Sequence, residues 1–278
     1  MHSIKKKRAA YYFLQTAVLL ILGLVVILPI YIAAVNAFKD SGEIVGSPLG
    51  LPLPPTLENL QRVLTSPDSN ILQIYANSLT LMICGTIITI VLASMASYYL
   101  ARSQSRLAKV LRIYFLIGIM VPYVIVYLPL CILLNKLKIG FGVPLLIFVF
   151  VSGNLSFSTF MYTNFIRSLP GELEESAAID GAKRVQVFWR ILFPLVKPCT
   201  ATVGIFVGLG IWNDFQTPLL LGQVKTITVG IYTAIGPHSA DWGIVFAYVF
   251  FAAAPVIATY LAAQKQFVSG LTSGALKG

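Results

Sequence analysis

Residues 9–38 read AAYYFLQTAVLLILGLVVILPIYIAAVNAF, an uncharged stretch in which bulky apolar residues run without a two-residue alternation. A bilayer's hydrocarbon core, about 30 Å thick, takes about 20 helical residues to cross, and the backbone amides within it must be satisfied inside the segment. The stretch therefore reads as a membrane-spanning helix. Lys5, Lys6, Lys7 and Arg8 precede it, as basic residues precede a secretory signal. A signal's apolar region, however, runs only about 7 to 15 residues, so an uncleaved anchor is expected. Working outward, further charge-free runs occupy 69–101, 113–135, 139–166, 198–213 and 242–264. Together they predict an all-α membrane protein of six transmembrane helices, near 12–36, 76–100, 112–134, 142–166, 200–222 and 242–264, forming one transmembrane domain over 1–278.

Composition agrees. The chain is 57% hydrophobic and 11% charged, with a mean hydropathy of +0.83, whereas a soluble domain carries about a quarter charged residues. Placing the amino terminus in the cytoplasm assigns most of the 20 Lys and Arg residues to inner loops and leaves Lys39, Arg62, Lys136, Lys138 and Lys225 outside. That bias fits the positive-inside rule and predicts that both termini are cytoplasmic. The net charge of +10 is thereby explained by orientation and contact with membrane lipid, not by nucleic-acid binding. Cys84, Cys131 and Cys199 show neither paired nor metal-ligand spacing and read as small packing residues. With His2 and His238 as its histidines, and no phosphate loop, zinc motif or serine elbow, the chain is expected to be no enzyme: no catalytic residue and no metal site is assigned.

Two loops stand apart. The external loop 39–73 contains Pro48, Pro52, Pro54 and Pro55, which exclude a long helix. Leu57, Leu60, Val63 and Leu64 follow at helical spacing and predict one or two amphipathic turns. The cytoplasmic loop 168–198 holds LPGELEESAAIDGAKRVQVFWRILFPLVKP at Leu169–Pro198. Pro170 suits a first helical turn, and Glu172, Glu174 and Glu175 suit a positive helix end. Gly181 can adopt a positive φ and end that helix. Ala182, Val185, Phe188 or Trp189, and Leu192 then recur at helical spacing. From the residues alone, this helix–turn–helix either docks a partner or lies on lipid.

Glu175, Ser176 and Ala177, then Asp180, Gly181 and Ala182, and later Ile191, Phe193 and Pro194 resemble the EAA loop of bacterial ABC-importer permeases, with Ser176 for an alanine and Phe193 for a leucine. Asn77–Leu79, Trp212–Phe215 and the tail Phe267–Gly278 further resemble the carbohydrate, maltose-permease-like branch. The resemblance implies a coupling helix between helices 4 and 5 that docks on a cytoplasmic ATPase, with Glu172, Glu175, Ser176, Ala177, Asp180, Gly181, Ala182 and Phe188 as coupling residues and Gly181 setting the angle. It implies alternating access driven by ATPase closure. It also implies a heterodimer with a second permease, two copies of the ATPase, an extracellular or periplasmic solute-binding protein, residence in the bacterial inner membrane, and no cofactor on this chain. ATP and Mg belong to the partner ATPase. The polar tail Lys265–Gly278 is expected to be flexible, cytoplasmic and in touch with the ATPases.

Polar residues inside spans are costly and mark candidate pathways. Asn154 and Ser158 in the fourth span, and Trp212, Asn213, Asp214 and Gln216 in the fifth, are candidates for a sugar path, since amides and carboxylates bond hydroxyls beside a stacking aromatic. Equally, such residues can bond neighbouring helices. Asp214 should face an aqueous cavity, a partner or the membrane surface. The competing function is an ion-coupled secondary transporter or channel acting alone. It would want several buried ionisable groups, whereas Asp214 is the one carboxylate expected within a span, with Asp241 near a boundary.

Overall fold

The computed structural model describes residues 2–66, 70–236 and 240–275. Its elements are α1 (His2–Asn36), α2 (Ser41–Gly46), α3 (Glu58–Thr65), α4 (Ile71–Arg102), α5 (Arg106–Met120), α6 (Tyr123–Lys136), α7 (Val143–Arg167), α8 (Glu172–Ile179), α9 (Arg184–Leu195), α10 (Lys197–Asn213), a wide-turned α11 (Pro218–Gly222), α12 (Ile227–Ile235) and α13 (Trp242–Ala275). No strand occurs among the described residues.

Helices α1 (from Tyr11), α4 and α7 are each long and apolar enough to cross a membrane. Two bent pairs raise the number to five if each pair is one span, and α13 adds a shorter apolar stretch, Trp242–Ala258. The run at 112–134 is one of these pairs: α5 and α6 meet at 97°. Val121 there is extended (φ −78°, ψ 115°), because Pro122 disfavours helical geometry in the residue before it. The expected span at 200–222 is likewise interrupted. Helix α10 stops at Asn213, and Asp214 takes ψ 123°. At the other end α9 and α10 are bent by 76°. The backbone is helical through Ala275, where a flexible tail was expected from Lys265. Residues 276–278, like His238, lie outside the described residues.

The chain divides into two compact units. The first comprises Met1–Ile71 and Gly230–Pro255. Its apolar α1 buries none of its most hydrophobic window within the chain, as a helix facing lipid or another subunit would. The proline-rich loop is ordered around polar anchors. Asp40 caps α2 by accepting from the Gly42 amide at 2.8 Å, and the Asn59 amide donates to the Lys39 carbonyl at 2.6 Å. Lys39, expected as an external charge, is buried, with its ammonium donating to the Ser47 carbonyl. The predicted amphipathic turns form α3, which buries Asn59 and Val63. Arg62 on α3 pairs with Asp241. Burial raises the Asp241 carboxyl, but the Arg62 hydrogen bond and charge and the backbone amides of Ile244 and Gly243 together hold it below its usual range.

The second unit, Leu72–Val229 with Val256–Gly278, carries the main core. Leu146, Val149, Phe150, Ser158, Thr159, Tyr162, Thr163 and Ile166 are buried along α7 and recur every three or four residues, one helical face. They pack with Leu81 and Ala93 of α4, Phe188 and Leu192 of α9, and Val203, Val207 and Ile211 of α10. Gly85 lies close against α10: a Cβ there would stand 2.7 Å from Ile211 Cδ1 and would displace the end of that side chain.

Candidate coupling surface and the broken fifth span

Helix α8 opens with Glu172, Glu174 and Glu175 in its first turn, where the helix dipole favours carboxylates. Pro170 falls ahead of that turn, with Gly171 at the cap. The carboxyl end is closed by two crossing bonds: the Gly181 amide donates to Ala178 at 3.1 Å, and the Ala182 amide to Ala177 at 3.0 Å. This pair requires the residue between cap and loop to be left-handed, and Gly181 has φ +83°. A Cβ at Gly181 would meet nothing within 4 Å. The turn is therefore set by backbone preference and is open on its outside.

No residue of α8 is buried. Glu172, Glu175, Ser176, Asp180 and Gly181 are exposed, Ala177 and Ala182 are partly covered, and Ile179 is 86% exposed. The apolar Ile179 and the half-exposed Leu173 at 47% were not among the sequence candidates, although an isoleucine ahead of a helix-ending Asp-Gly is the available signal. Phe188 differs from its companions. It is 3% exposed, with its ring against Trp189 at 4.8 Å, Phe193 at 5.9 Å and Tyr98 at 5.9 Å. The structure thus resolves the Phe188-or-Trp189 ambiguity: Phe188 faces inward and anchors α9, while Trp189 and Val185 face outward.

Arg102, the last residue of α4, was read from sequence only as an inner-loop charge. Its Nε and Nη2 donate to Glu174 Oε1 at 2.9 and 2.8 Å, and Nη2 also donates to the Leu169 carbonyl at 3.2 Å. A cavity of about 470 Å³ beside it is lined by Met95, Tyr98, Tyr99, Arg184, Val185 and Trp189, among others.

The candidate path residues do not converge on one pocket. Asn154 and Asn213 donate their amides to carbonyls four residues back, Phe150 at 2.8 Å and Leu209 at 2.9 Å. Ser158 is buried with no hydrogen-bond partner among the described residues. Trp212 is buried and tilts against Tyr75 at 6.3 Å, whereas Gln216 is exposed.

Asp214 has a local role. Its carboxylate accepts from the Thr217 amide at 3.0 Å and the Thr217 hydroxyl at 2.6 Å, capping the turns that restart after the break. With the Thr217 proton committed there, Tyr127 donates to Thr217 Oγ1 at 2.7 Å. The Thr228 hydroxyl donates to the Asp214 carbonyl at 2.9 Å. The following loop is held by α4, since Asn77 donates to the Lys225 carbonyl at 3.0 Å and Ser78 accepts from the Ile227 amide at 3.0 Å. Asp214 is partly buried in a network of its own chain.

Comparison with known proteins places this architecture. Residues 90–267 match the family described as the binding-protein-dependent transport system inner membrane component. The chain is 28% identical over 282 residues to the multiple sugar-binding transport system permease protein MsmG of Streptococcus mutans, covering 99% of this chain and 100% of that one. It is 30% identical over 266 residues to the diacetylchitobiose uptake system permease protein NgcG of Streptomyces coelicolor, covering 94% and 87%. It is 34% identical over 209 residues to the melibiose/raffinose/stachyose import permease protein MelC of Bacillus subtilis, covering 72% and 74%. The fold is similar to a chain of a bacterial ABC transporter involved in the import of the acidic polysaccharide alginate, with a TM-score of 0.78, 19% identity, and coverage of 92% and 95%. The family match carries residues 90–267, including α8 and both broken pairs, and it favours a subunit powered by a separate ATPase over a carrier acting alone. The chain belongs to the binding-protein-dependent transport system inner membrane components: it is a multi-pass permease subunit of an ABC importer, not an enzyme itself, working with a separate ATPase and a solute-binding protein.

Proposed function

We propose that this permease carries a carbohydrate and receives mechanical input from its ATPase through α8 and the Gly181 turn. The observation that carries the coupling role is an eight-residue helix with no buried residue, closed by a left-handed glycine with open space around it. A helix of that length has little stability of its own, so an exposed one held in register is suited to a cleft on a partner. Glu172, Glu175, Ser176, Ala177, Asp180, Gly181 and Ala182 form this docking element, while Phe188 holds its base to the bundle. The carbohydrate assignment is supported by relatives whose names specify multiple sugars, diacetylchitobiose and raffinose-type sugars. In this reading the chain has six spans, α5–α6 and α9–α10 each acting as one, with both termini cytoplasmic. It pairs with a second permease over two ATPase copies, and those bind the ATP and Mg while this chain holds no cofactor. Asn154, Ser158, Trp212, Asn213, Asp214 and Gln216 lie along or support its half of the path.

The test is a complex reconstituted in vesicles with its ATPase, partner permease and binding protein. Cysteines replacing Glu175 or Ala182 should crosslink to the ATPase, and uptake of labelled raffinose or another oligosaccharide from a panel should require ATP. Crosslinks that never reach the ATPase in an active complex would overturn the coupling role. Uptake confined to non-carbohydrate solutes would overturn the substrate class.

A further inference from the structure

We propose that Arg102 is a positioning residue through which α8 acts on α4, and that without its bond to Glu174 the docking helix moves while α4 does not follow. The proposal rests on α8 as the docking element. Helix α8 has no buried side chain, so apolar packing cannot hold it against the bundle. Its first turn is instead gripped by one guanidinium. Arg102 places two nitrogens on Glu174 Oε1 at 2.9 and 2.8 Å and one of them on the Leu169 carbonyl at 3.2 Å. That single group joins the end of α4, the turn leaving α7 and the start of α8. The pair is well shielded, at 27% and 14% side-chain exposure, and shielded charges interact more strongly than those in open water. A planar guanidinium fork also fixes direction as well as distance.

The surroundings favour a strut over a packing contact. The cavity of about 470 Å³ lies between the end of α4 and the start of α9, where Tyr98 on Phe188 at 5.9 Å is the ring contact between the two helices, so the ion pair bears on the start of α8 beside an incompletely filled space. At its other end α4 is a lever. It runs unbroken over 32 residues and holds the loop after the Asp214 break through Asn77 and Ser78. A push delivered to α8 would reach α7 and α9 along the chain itself; it reaches α4 directly through Arg102 and indirectly through Phe188 on Tyr98.

The test uses the complete complex in vesicles, with a reporter cysteine replacing Leu72 at the far end of α4, where the side chain is 79% exposed. A second cysteine replacing Ile179 monitors docking by crosslinking to the ATPase. ATP with vanadate should change the rate at which a membrane-impermeant maleimide labels the reporter. In Arg102→Ala that change should shrink by about fivefold or more, a factor at the low end of site-to-site coupling, while the Ile179 crosslink persists. Glu174→Gln, nearly the same size, should do the same, and the exchanged pair Arg102→Glu with Glu174→Arg should recover at least half of the change. A merely structural pair would not separate docking from reporter response in this way. An undiminished vanadate response in Arg102→Ala or Glu174→Gln with docking intact overturns the strut, as does a wild-type α4 that shows no response. Absence of the Ile179 crosslink in the wild-type complex instead overturns the docking role of α8.

Discussion

The chain interrupts its helices at Gly181 and at Asp214 by opposite means. At Gly181 the break is a backbone conformation: φ is +83°, two amide bonds close the helix, and nothing stands within 4 Å of where a side chain would begin. At Asp214 the break is a set of partners: the carboxylate caps Thr217, Tyr127 donates to the same hydroxyl, and Thr228 reaches back to the Asp214 carbonyl. The first leaves its outer face free for another protein and takes its shape without one. The second holds a partly buried break in place, where unpaired polar groups are expensive. The contrast teaches that a turn made by backbone preference can stay open to a partner, whereas a break made by side-chain partners is closed on its own chain.

The largest expected effect tests the locked side. Asp214→Ala removes both cap bonds and strands the Thr217 hydroxyl, for a loss of about 2 to 4 kcal/mol from a lost cap plus an unsatisfied group. Thermal unfolding in detergent should register it, and Asp214→Asn, which keeps an acceptor, should lose clearly less. Equal behaviour of Asp214→Ala and wild type would break the comparison.

Next comes the open side. Any side chain at Gly181 should cost about 1 to 2 kcal/mol for the left-handed conformation. Because no neighbour is near, Gly181→Ala and Gly181→Leu should destabilise the isolated permease alike. In the assembled transporter the leucine should be the worse of the two, with transport per ATP falling well below the alanine variant. Unequal unfolding of the isolated variants would show that the turn is not open.

Tyr127→Phe sharpens the contrast with a smaller change. It removes one donor from Thr217, a loss of about 1 kcal/mol, measurable by the same unfolding and additive with nothing at Gly181. The smallest effect lies in the other unit, at Arg62 and Asp241. The Asp241 carboxyl sits lower in the folded chain than its ordinary value of 3.8, so the folded state holds its proton less tightly. The resulting stabilisation is fully present above that ordinary value and is lost as pH falls through the lower, folded one. Both side chains are more than a third exposed, so the contribution is under about 1 kcal/mol. Asp241→Asn should flatten the acid limb of a stability profile by no more than that.

Much of the coupling element was legible. Acidic residues ahead of an alanine pair, then Asp-Gly, specify a helix start and stop within twelve positions, and the structure places its cap and left-handed glycine as that pattern requires. The supports of that element were not legible. Arg102 and Glu174 are 72 positions apart, and Tyr127 and Thr217 are 90 apart, so no local spacing joins them. Lys39 illustrates the same limit: the sequence places it on the outer side, and only the structure shows it buried with its ammonium on the Ser47 carbonyl.

Sequence alone determined that the chain is a helical membrane protein, because the bilayer imposes its length and its backbone requirement on each segment separately. How the breaks in those segments are held was a tertiary decision. Val121 and Asp214 both lie in runs apolar enough to continue as helix, and they stop only because Pro122 and the Thr217 cap supply another conformation that the surrounding helices can hold. What steadies the second break comes from partners distant in the chain, Tyr127 on Thr217 and Asn77 and Ser78 on the loop that follows, and only the fold brings them together.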